Sequence, residues 1–458
     1  LFLGANLVPH WHGSALNGDL TPTVNLKFYS DNLLELKRGI GKLILSAPLV
    51  PPQVAVLYSQ PSLFAAMGTF GANEWQSSQT AWNALLKDLK IDFKFIPYQE
   101  FARAIPEVKV VILPAAIALS AQQRQNLDAF MQAGGTVIAD FAPGHYNEHG
   151  TLQAVPAAEI RPRATDLELA ANPQIGIPAL TGRFQVALPD EAVMQVKTVG
   201  KGRMIIFNFL VGSYQKVSLG GVGGETSTVK TGAEQLCQNL RTLVGGILNN
   251  SAVTPNCNIV DEQGKSFPCT TMLRSSGKNQ VFGILQFDGS EKENYIGRPE
   301  TGRLVTVTLP VSGHIYDARN GKYIGQGNQF STRVVTDLAQ VFTILQDQAE
   351  VMEMDLQPVV SPGGTQHVRL RSGSGQQVFR LEVVHPDGSV LPWYSRNLLA
   401  PDGQAEWSFQ LAFNDPDRQG QYPLPGDKPA AAAPGTPWRI RAINVATGAR
   451  CEKTFMLQ

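Results

Sequence analysis

Val108-Lys-Val-Val-Ile-Leu113, then Ser120 to Met131, then Gly134-Gly-Thr-Val-Ile-Ala-Asp140 decide how this chain is read. The first and last are short apolar, β-branched runs bounded by Pro or Gly, and each predicts a strand. Between them, Ser120 and Gln123 form a capping-box pattern that opens a helix with Leu127, Phe130 and Met131 inward. Gly134-Gly135 ends that helix.

The same alternation extends outward over residues 53–250. Val54-Ala-Val-Leu-Tyr58 and Phe93-Lys-Phe-Ile96 read as strands. Asn73 to Leu89 reads as a helix with Trp75, Trp82, Leu85, Leu86 and Leu89 on or near one face. Gly202-Arg-Met-Ile-Ile-Phe-Asn-Phe209 and a helix bearing Leu236, Leu240, Leu243, Val244, Ile247 and Leu248 follow. Strands and helices in alternation predict a mostly parallel sheet with helices on both faces.

From about residue 251 the helical period stops. Val281 to Phe287 and Leu304 to Leu309 read as strands, and His314 to Gly325 as a hairpin with Asn320-Gly321 at its turn. Residues 251–349 therefore predict a β-sandwich. In 350–458, Val378 to Val384 leads into the turn Pro386-Asp-Gly388, and Trp438 to Val445 alternates and turns at Ala446-Thr-Gly448. That spacing predicts an immunoglobulin-like sandwich. Gln421 to Pro437, rich in Pro, Ala and Gly, reads as a loop within it.

Upstream, Leu1 to His12 reads as a buried strand running into a polar, aromatic loop. Leu26, Tyr29, Leu33, Leu36 and Ile40 share one helical face that starts at Pro22-Thr23 and loosens at Gly39 and Gly41. Ala47 to Gln53 reads as a linker. Residues 1–50 thus predict the last strand–loop–helix unit of a larger α/β domain, followed by that linker.

Bulk composition narrows the function classes. The chain has 458 residues, for which about three domains is the ordinary expectation. Lys plus Arg total 38 and Asp plus Glu total 38, so no net charge points to nucleic acid or an anionic membrane. No apolar run reaches the ~18 residues that cross a bilayer. The low charged fraction, 17%, with many Thr, Ser, Gln and Asn, leans toward an exported, extracellular or periplasmic protein. Of four cysteines, Cys237 falls on the apolar side of a helix. Cys257 and Cys269 flank a hairpin, where a disulfide is one of two open readings.

No hydrolase nucleophile is legible. Ser59, Pro114, Ala115 and Pro143 occupy the strand ends, and neither Gly-x-Cys-x-Gly nor Gly-x-Ser-x-Gly occurs. Asp140 in Asp140-Phe-Ala-Pro-Gly-His145 ends a strand where α/β sheets bind ligands, yet a loop-stabilising Asp beside a surface His is the simpler reading. Gly220 to Gly224 lacks the Lys-Ser/Thr of a phosphate loop and reads as a loop. His10 and His12 have no third metal ligand at persuasive spacing, so neither metal nor cofactor is expected. His10, Trp11 and His12 remain a candidate sugar site, an aromatic ring beside imidazole donors. The alternative is that Trp11 packs beneath the domain.

Taken in order, these blocks resemble glycoside hydrolase family 42 β-galactosidases. Leu33 to Leu43 followed by Val54 to Ser62 looks like the junction between that family's barrel and its next domain. Val110 to Ala115, Leu127 to Phe130 and Gly134 to Asp140 look like its trimerisation domain, which has a flavodoxin-like, amidotransferase-like fold without amidotransferase chemistry. The resemblance implies a multidomain α/β plus all-β chain. Residues 1–50 would be the eighth strand and helix of a (β/α)8 barrel plus a linker, and 51–250 the trimerisation domain. Residues 251–349 would be a β-sandwich, and 350–458 an immunoglobulin-like sandwich.

The resemblance further implies a retaining β-galactosidase whose two catalytic Glu belong to earlier strands, so no catalytic residue is carried over. His10, Trp11 and His12 would contact carbohydrate. Partners would be copies of the chain as a trimer, or the missing barrel segment. A non-catalytic assembly protein of the cell surface, and a small-molecule site near Asp140 and Pro114, are the other readings.

Overall fold

The computed structural model describes residues 17–19, 21, 23, 26, 30, 33–153, 160, 163–188, 191–214, 233–286, 302–335, 338–349, 351–361, 363–373, 375–410, 435 and 437–458. Among the described residues a wide turn, Leu36–Ile40, runs into the helix α1, Gly41–Ser46. The sequence predicts that this helix loosens at Gly39 and Gly41. Instead it bends at Gly39 and continues. Gly39 has φ of 129°, and a Cβ there would lie 2.4 Å from Val445 Cγ2, so only glycine fits.

Residues 54–207 build a six-stranded sheet from β1 (Val54–Tyr58), β2 (Phe93–Pro97), β3 (Val110–Leu113), β4 (Thr136–Asp140), β7 (Met194–Val199) and β8 (Gly202–Phe207). The order is β2-β1-β3-β4-β8-β7, parallel except for β7. Five parallel strands in this order follow the flavodoxin-like winding. The hairpin β5 (Arg163–Leu169) and β6 (Leu180–Val186) stands apart as its own two-stranded sheet. Neither it nor β7 is read from the sequence: β5 and β7 are mostly exposed or half-buried, and β6 buries only separated residues, Leu180, Phe184 and Val186.

Period-two alternation divides the core. Val54, Val56, Val110, Ile112, Ile138 and Ile205 face α3 (Ala72–Asp88) and α5 (Ala233–Asn250), meeting Trp82, Leu85, Leu243 and Ile247. Ala55, Leu57, Val111, Leu113, Val137 and Ala139 face α4 (Ala121–Gln132), meeting Leu127, Phe130 and Met131. The predicted capping box is complete: Gln123 N donates to Ser120 Oγ at 3.1 Å, and Ser120 N to Gln123 Oε1 at 3.2 Å. A short helix, α2 (Gln60–Met67), leaves the end of β1.

The next module contains β9 (Asn258–Asp261), β10 (Thr270–Ser276), β11 (Asn279–Leu285), β12 (Arg303–Asp317), β13 (Lys322–Val334) and β14 (Gln340–Leu345). Two features read as separate in the sequence, the 304–309 strand and the 314–325 hairpin, share the single strand β12. Its register shifts between Thr308 and Gly313. Before the shift β12 pairs with β9, and after it with β14. The expected sandwich is therefore one antiparallel sheet, its strands joined around Ile259, Phe282, Val307, Ile315, Phe330 and Phe342.

The last module has two sheets. One is β15 (Glu353–Leu356), β17 (Thr365–Arg371) and β20 (Gln404–Gln410). The other joins β16 (Val359–Val360), β22 (Arg450–Leu457), β21 (Pro437–Asn444), β18 (Gln377–Val384) and β19 (Arg396–Ala400) in that order. Leu370, Phe379, Phe409, Trp438 and Phe455 fill the core. The loop read over 421–437 lies, except for Gly435 and Pro437, outside the described residues.

The helix α1 joins the two β modules. Ile40, Leu43, Ile44 and Ala47 pack against Met272, Val281, Ala318 and Val341 of one and Val378, Val445 and Ala446 of the other. The predicted linker is likewise docked: Ser275 N donates to Pro48 O at 2.9 Å, and Leu49 bridges Arg274. Arg319 Nη2 meets Glu35 Oε2 at 2.6 Å, and Asn397 Nδ2 donates to Lys37 O at 2.6 Å. Gly39→Ala should cost about 1–3 kcal/mol from backbone strain alone, and more once Val445 is displaced. Urea unfolding should register it, and an unchanged midpoint would contradict this account of the joint.

Candidate functional site

Because β1, β3, β4 and β8 run parallel, their carboxyl ends gather at one edge. The winding reverses between β1 and β3, and this is where open α/β sheets hold ligands. Here the edge is filled by the chain itself. Ser59 caps α2, its Oγ 2.8 Å from Ser62 Oγ, and Ser62 Oγ in turn donates to Ala118 O at 3.1 Å. Gln79 Nε2 donates to Leu57 O and Pro114 O at 3.3 and 3.2 Å, bridging the ends of β1 and β3.

Asp140 sits at the centre and is fully buried. Its Oδ1 accepts from Ala115 N at 2.6 Å, and its Oδ2 from Ser78 Oγ at 2.6 Å and Val211 N at 3.3 Å. Burial pushes this carboxyl up, opposed first by the Ser78 hydroxyl and then by the two backbone N–H groups. The loop-stabilising reading of Asp140 is the observed one. The companion reading of His145 as a surface residue is corrected: it is 7% exposed and packs edge-on against Tyr146.

Ala115, Phe141 and Ala142 all have positive φ, at 41°, 61° and 47°. Each lies in the loop just past a strand end, β3 for Ala115 and β4 for Phe141 and Ala142, and the Ala115 N–H is one of the donors that Asp140 accepts. Such backbone costs energy that the surrounding bonds must hold. Ser78 and Gln79, which seal the edge, went unread because polar residues inside an amphipathic helix carry no signal of their partners.

The remaining candidates fall elsewhere. His10, Trp11 and His12 lie outside the described residues, as do Gly220 to Gly224. Cys237 is buried as its helix position predicts, and Cys257 and Cys269 are buried free thiols. Among the described residues no group of three or more His, Cys, Asp or Glu is placed to hold a metal, and no helix is long and apolar enough to cross a membrane.

With this geometry in view, comparison with known proteins is informative. Residues 52–161 match the family model described as the beta-galactosidase trimerisation domain. The chain resembles part of a family 42 β-galactosidase. No curated protein matches the sequence. Among solved structures, the beta-galactosidase from Bacillus circulans sp. alkalophilus aligns with a TM-score of 0.50 and 15% identity over 73% of this chain and 47% of its own. A catalytic mutant of a family 42 beta-galactosidase from G. stearothermophilus aligns with a TM-score of 0.49 and 13% identity over 73% and 46%. The chain thus spans about half the length of these proteins.

The matched trimerisation segment holds β1 to β4 and α2 to α4, whereas β8 and β7 complete its sheet from beyond residue 161. Its outer surface carries Phe64 and Met67 on α2, 61% and 64% exposed, and Tyr58, 45% exposed, lying edge-on to Trp75. A cleft of about 660 Å³ opens at the opposite, amino edge of the sheet beside Lys109, Phe130 and Arg203. A second, of about 440 Å³, lies where the trimerisation-type domain meets β10, lined by Val50, Lys87, Asp92, Phe95 and Thr271 among others.

Two outcomes follow. Asp140→Ala leaves two backbone N–H groups and a hydroxyl unpaired in the core, and should cost about 3 kcal/mol or more at about 1–3 kcal/mol per orphaned group. Chemical denaturation measures it, and a near-neutral result would contradict the central role given to Asp140. Burial also pushes Asp92 from its ordinary 3.8 up to about 6, opposed by the amide of Asn256 beside it. Between those values the unfolded chain has released the proton while the folded chain keeps it, so stability falls as pH rises through the window. Asp92→Asn should match wild type below pH 3.8 and exceed it at pH 7 in urea midpoint. Parallel pH curves for the two proteins would contradict it.

Proposed function

We propose that residues 52–161 associate copies of this chain. In this reading the whole chain is the C-terminal oligomerisation and accessory region of a β-galactosidase-like retaining glycoside hydrolase. The catalytic barrel of that enzyme would lie mostly outside the chain. The match of 52–161 to a trimerisation domain carries the reading. The bonding of the sheet edge supports it, because among the described residues Asp140, Gln79, Ser59 and Ser62 spend their polar atoms on the chain itself. Phe64, Met67 and Tyr58 present apolar surface on that domain, the kind of patch that a second copy covers.

On the same reading, residues 1–50 contribute the eighth unit of the barrel, with His10, Trp11 and His12 contacting carbohydrate. The final module is an immunoglobulin-like support, and the protein is exported, a view resting on its low charged fraction. The intact enzyme would cleave β-galactosides, and this chain alone would not.

Sedimentation velocity tests the assembly. Wild type should run as an oligomer, a trimer on the closest reading of the matched domain. Phe64→Ser combined with Met67→Ser should run as a monomer with unchanged circular dichroism. A monomeric wild type at micromolar concentration would refute self-association. Hydrolysis of a β-galactoside by the purified chain would refute its accessory role.

A further inference from the structure

The joint between the trimerisation-type domain and the first β module is held by one unusual residue. Lys90 is 4% exposed and adopts φ of 58°. Its carbonyl oxygen accepts from Asn256 N at 2.9 Å. Its ammonium donates to Phe267 O at 2.8 Å, to Cys269 O at 3.2 Å and to Asp88 O at 3.2 Å. One side chain and its own backbone thus grip both ends of the segment 256–269.

Within that segment the chain doubles back. Phe267 N donates to Ile259 O, Val260 bridges Ser266, and Asp261 N donates to Lys265 O. The pairs 259 with 267, 260 with 266 and 261 with 265 share one register. The pairing ends at 259 with 267, so Cys257 and Cys269 lie just past its open end, near enough for the charge of one to bear on the other. Both thiols are free, 5% and 6% exposed, and belong to the same apolar cluster.

We propose that Cys257 and Cys269 are a reversible disulfide site, closed by thiol–disulfide exchange with a small-molecule disulfide. This inference is independent of the assembly reading. Cys269 attacks first, because the Lys90 ammonium, bonded to its backbone carbonyl, opposes the effect of burial there by a hydrogen bond as well as by charge, and at Cys257 by charge alone. Burial pushes both thiols up, Cys257 to about 12, so exchange waits on local opening. Thr271 marks the way in: it lines the 440 Å³ cleft, and its hydroxyl lies against the Cys257 sulfur.

The exchange balances without further reagents. Cys269 gives its proton to solvent, and its sulfur attacks one sulfur of the reagent, whose S–S bond breaks to release a thiolate that takes up a proton. Cys257 then loses its proton, attacks the Cys269 sulfur of the mixed disulfide and expels the second reagent thiol. Two protein thiols are oxidised and one reagent disulfide is reduced to two thiols. The new bond closes the hairpin that Lys90 grips, stapling the joint between modules.

The test uses the full chain, reduced, freed of reductant and incubated with oxidised glutathione in native buffer. Acid quenching, alkylation and peptide mass mapping follow. The expected product is a linked Cys257–Cys269 peptide pair, two hydrogens lighter than the two thiol peptides together. The half-exposed Cys451 serves as a reactivity control by carrying a glutathione adduct. Cys257→Ser should instead accumulate a stable glutathione adduct at Cys269. The oxidised wild type should unfold at a higher temperature than the reduced form. Full alkylation of Cys257 and Cys269 after Cys451 has reacted would overturn the proposal, as would separate adducts on both residues with no link. An unchanged or lowered unfolding temperature would overturn the stapling role.

Discussion

The bend at Gly39 is the constraint on which the arrangement of modules depends. It lets a six-residue helix lie between two β modules and complete the apolar cluster that they share. Fully burying a Leu or Ile side chain contributes roughly 1.5–3 kcal/mol, so Ile40, Leu43 and Ile44 together stabilise the joint by several such increments. The Glu35–Arg319 pair and the Lys37–Asn397 bond then orient the helix rather than supply most of its energy. A side chain at position 39 would disturb every one of these contacts, because it would meet Val445 before the helix could seat.

A second constraint is the need to satisfy polar groups buried at the sheet edge. In a doubly wound sheet the parallel strand ends leave backbone donors and acceptors pointing into a shared crevice, and a ligand ordinarily meets them. Here Asp140, Gln79, Ser59 and Ser62 meet them instead. An internal carboxylate with three donors costs less than an open crevice, provided every donor is used. The positive φ at Ala115 is held by the same network, through the Ala115 N–H that Asp140 accepts.

With the edge sealed, the surfaces left for function are those the core does not need. The exposed face of α2 is available for another chain. The cleft beside Asp92 and Lys87 is left open where the two modules meet. Lys90 is buried beside that seam, its ammonium donating to the carbonyl groups of Phe267, Cys269 and Asp88 close to two thiols.

What the sequence alone determined is local. Strand runs such as Val54 to Tyr58, the Ser120–Gln123 capping box, the Asn320-Gly321 turn and the buried face of α5 were legible because each depends on residues within a few positions of one another. The doubly wound class followed from their alternation. The tertiary structure decided what depends on distant partners. Asp140 became a structural hub through Ser78 and Val211, and His145 was drawn inside. β12 stayed one strand across a register shift, and the stretch expected as a linker after α1 docked on β10. None of these has a sequence signature, because a polar residue in a helix or a proline-rich run reads alike whether its partner is water or a strand more than two hundred residues away.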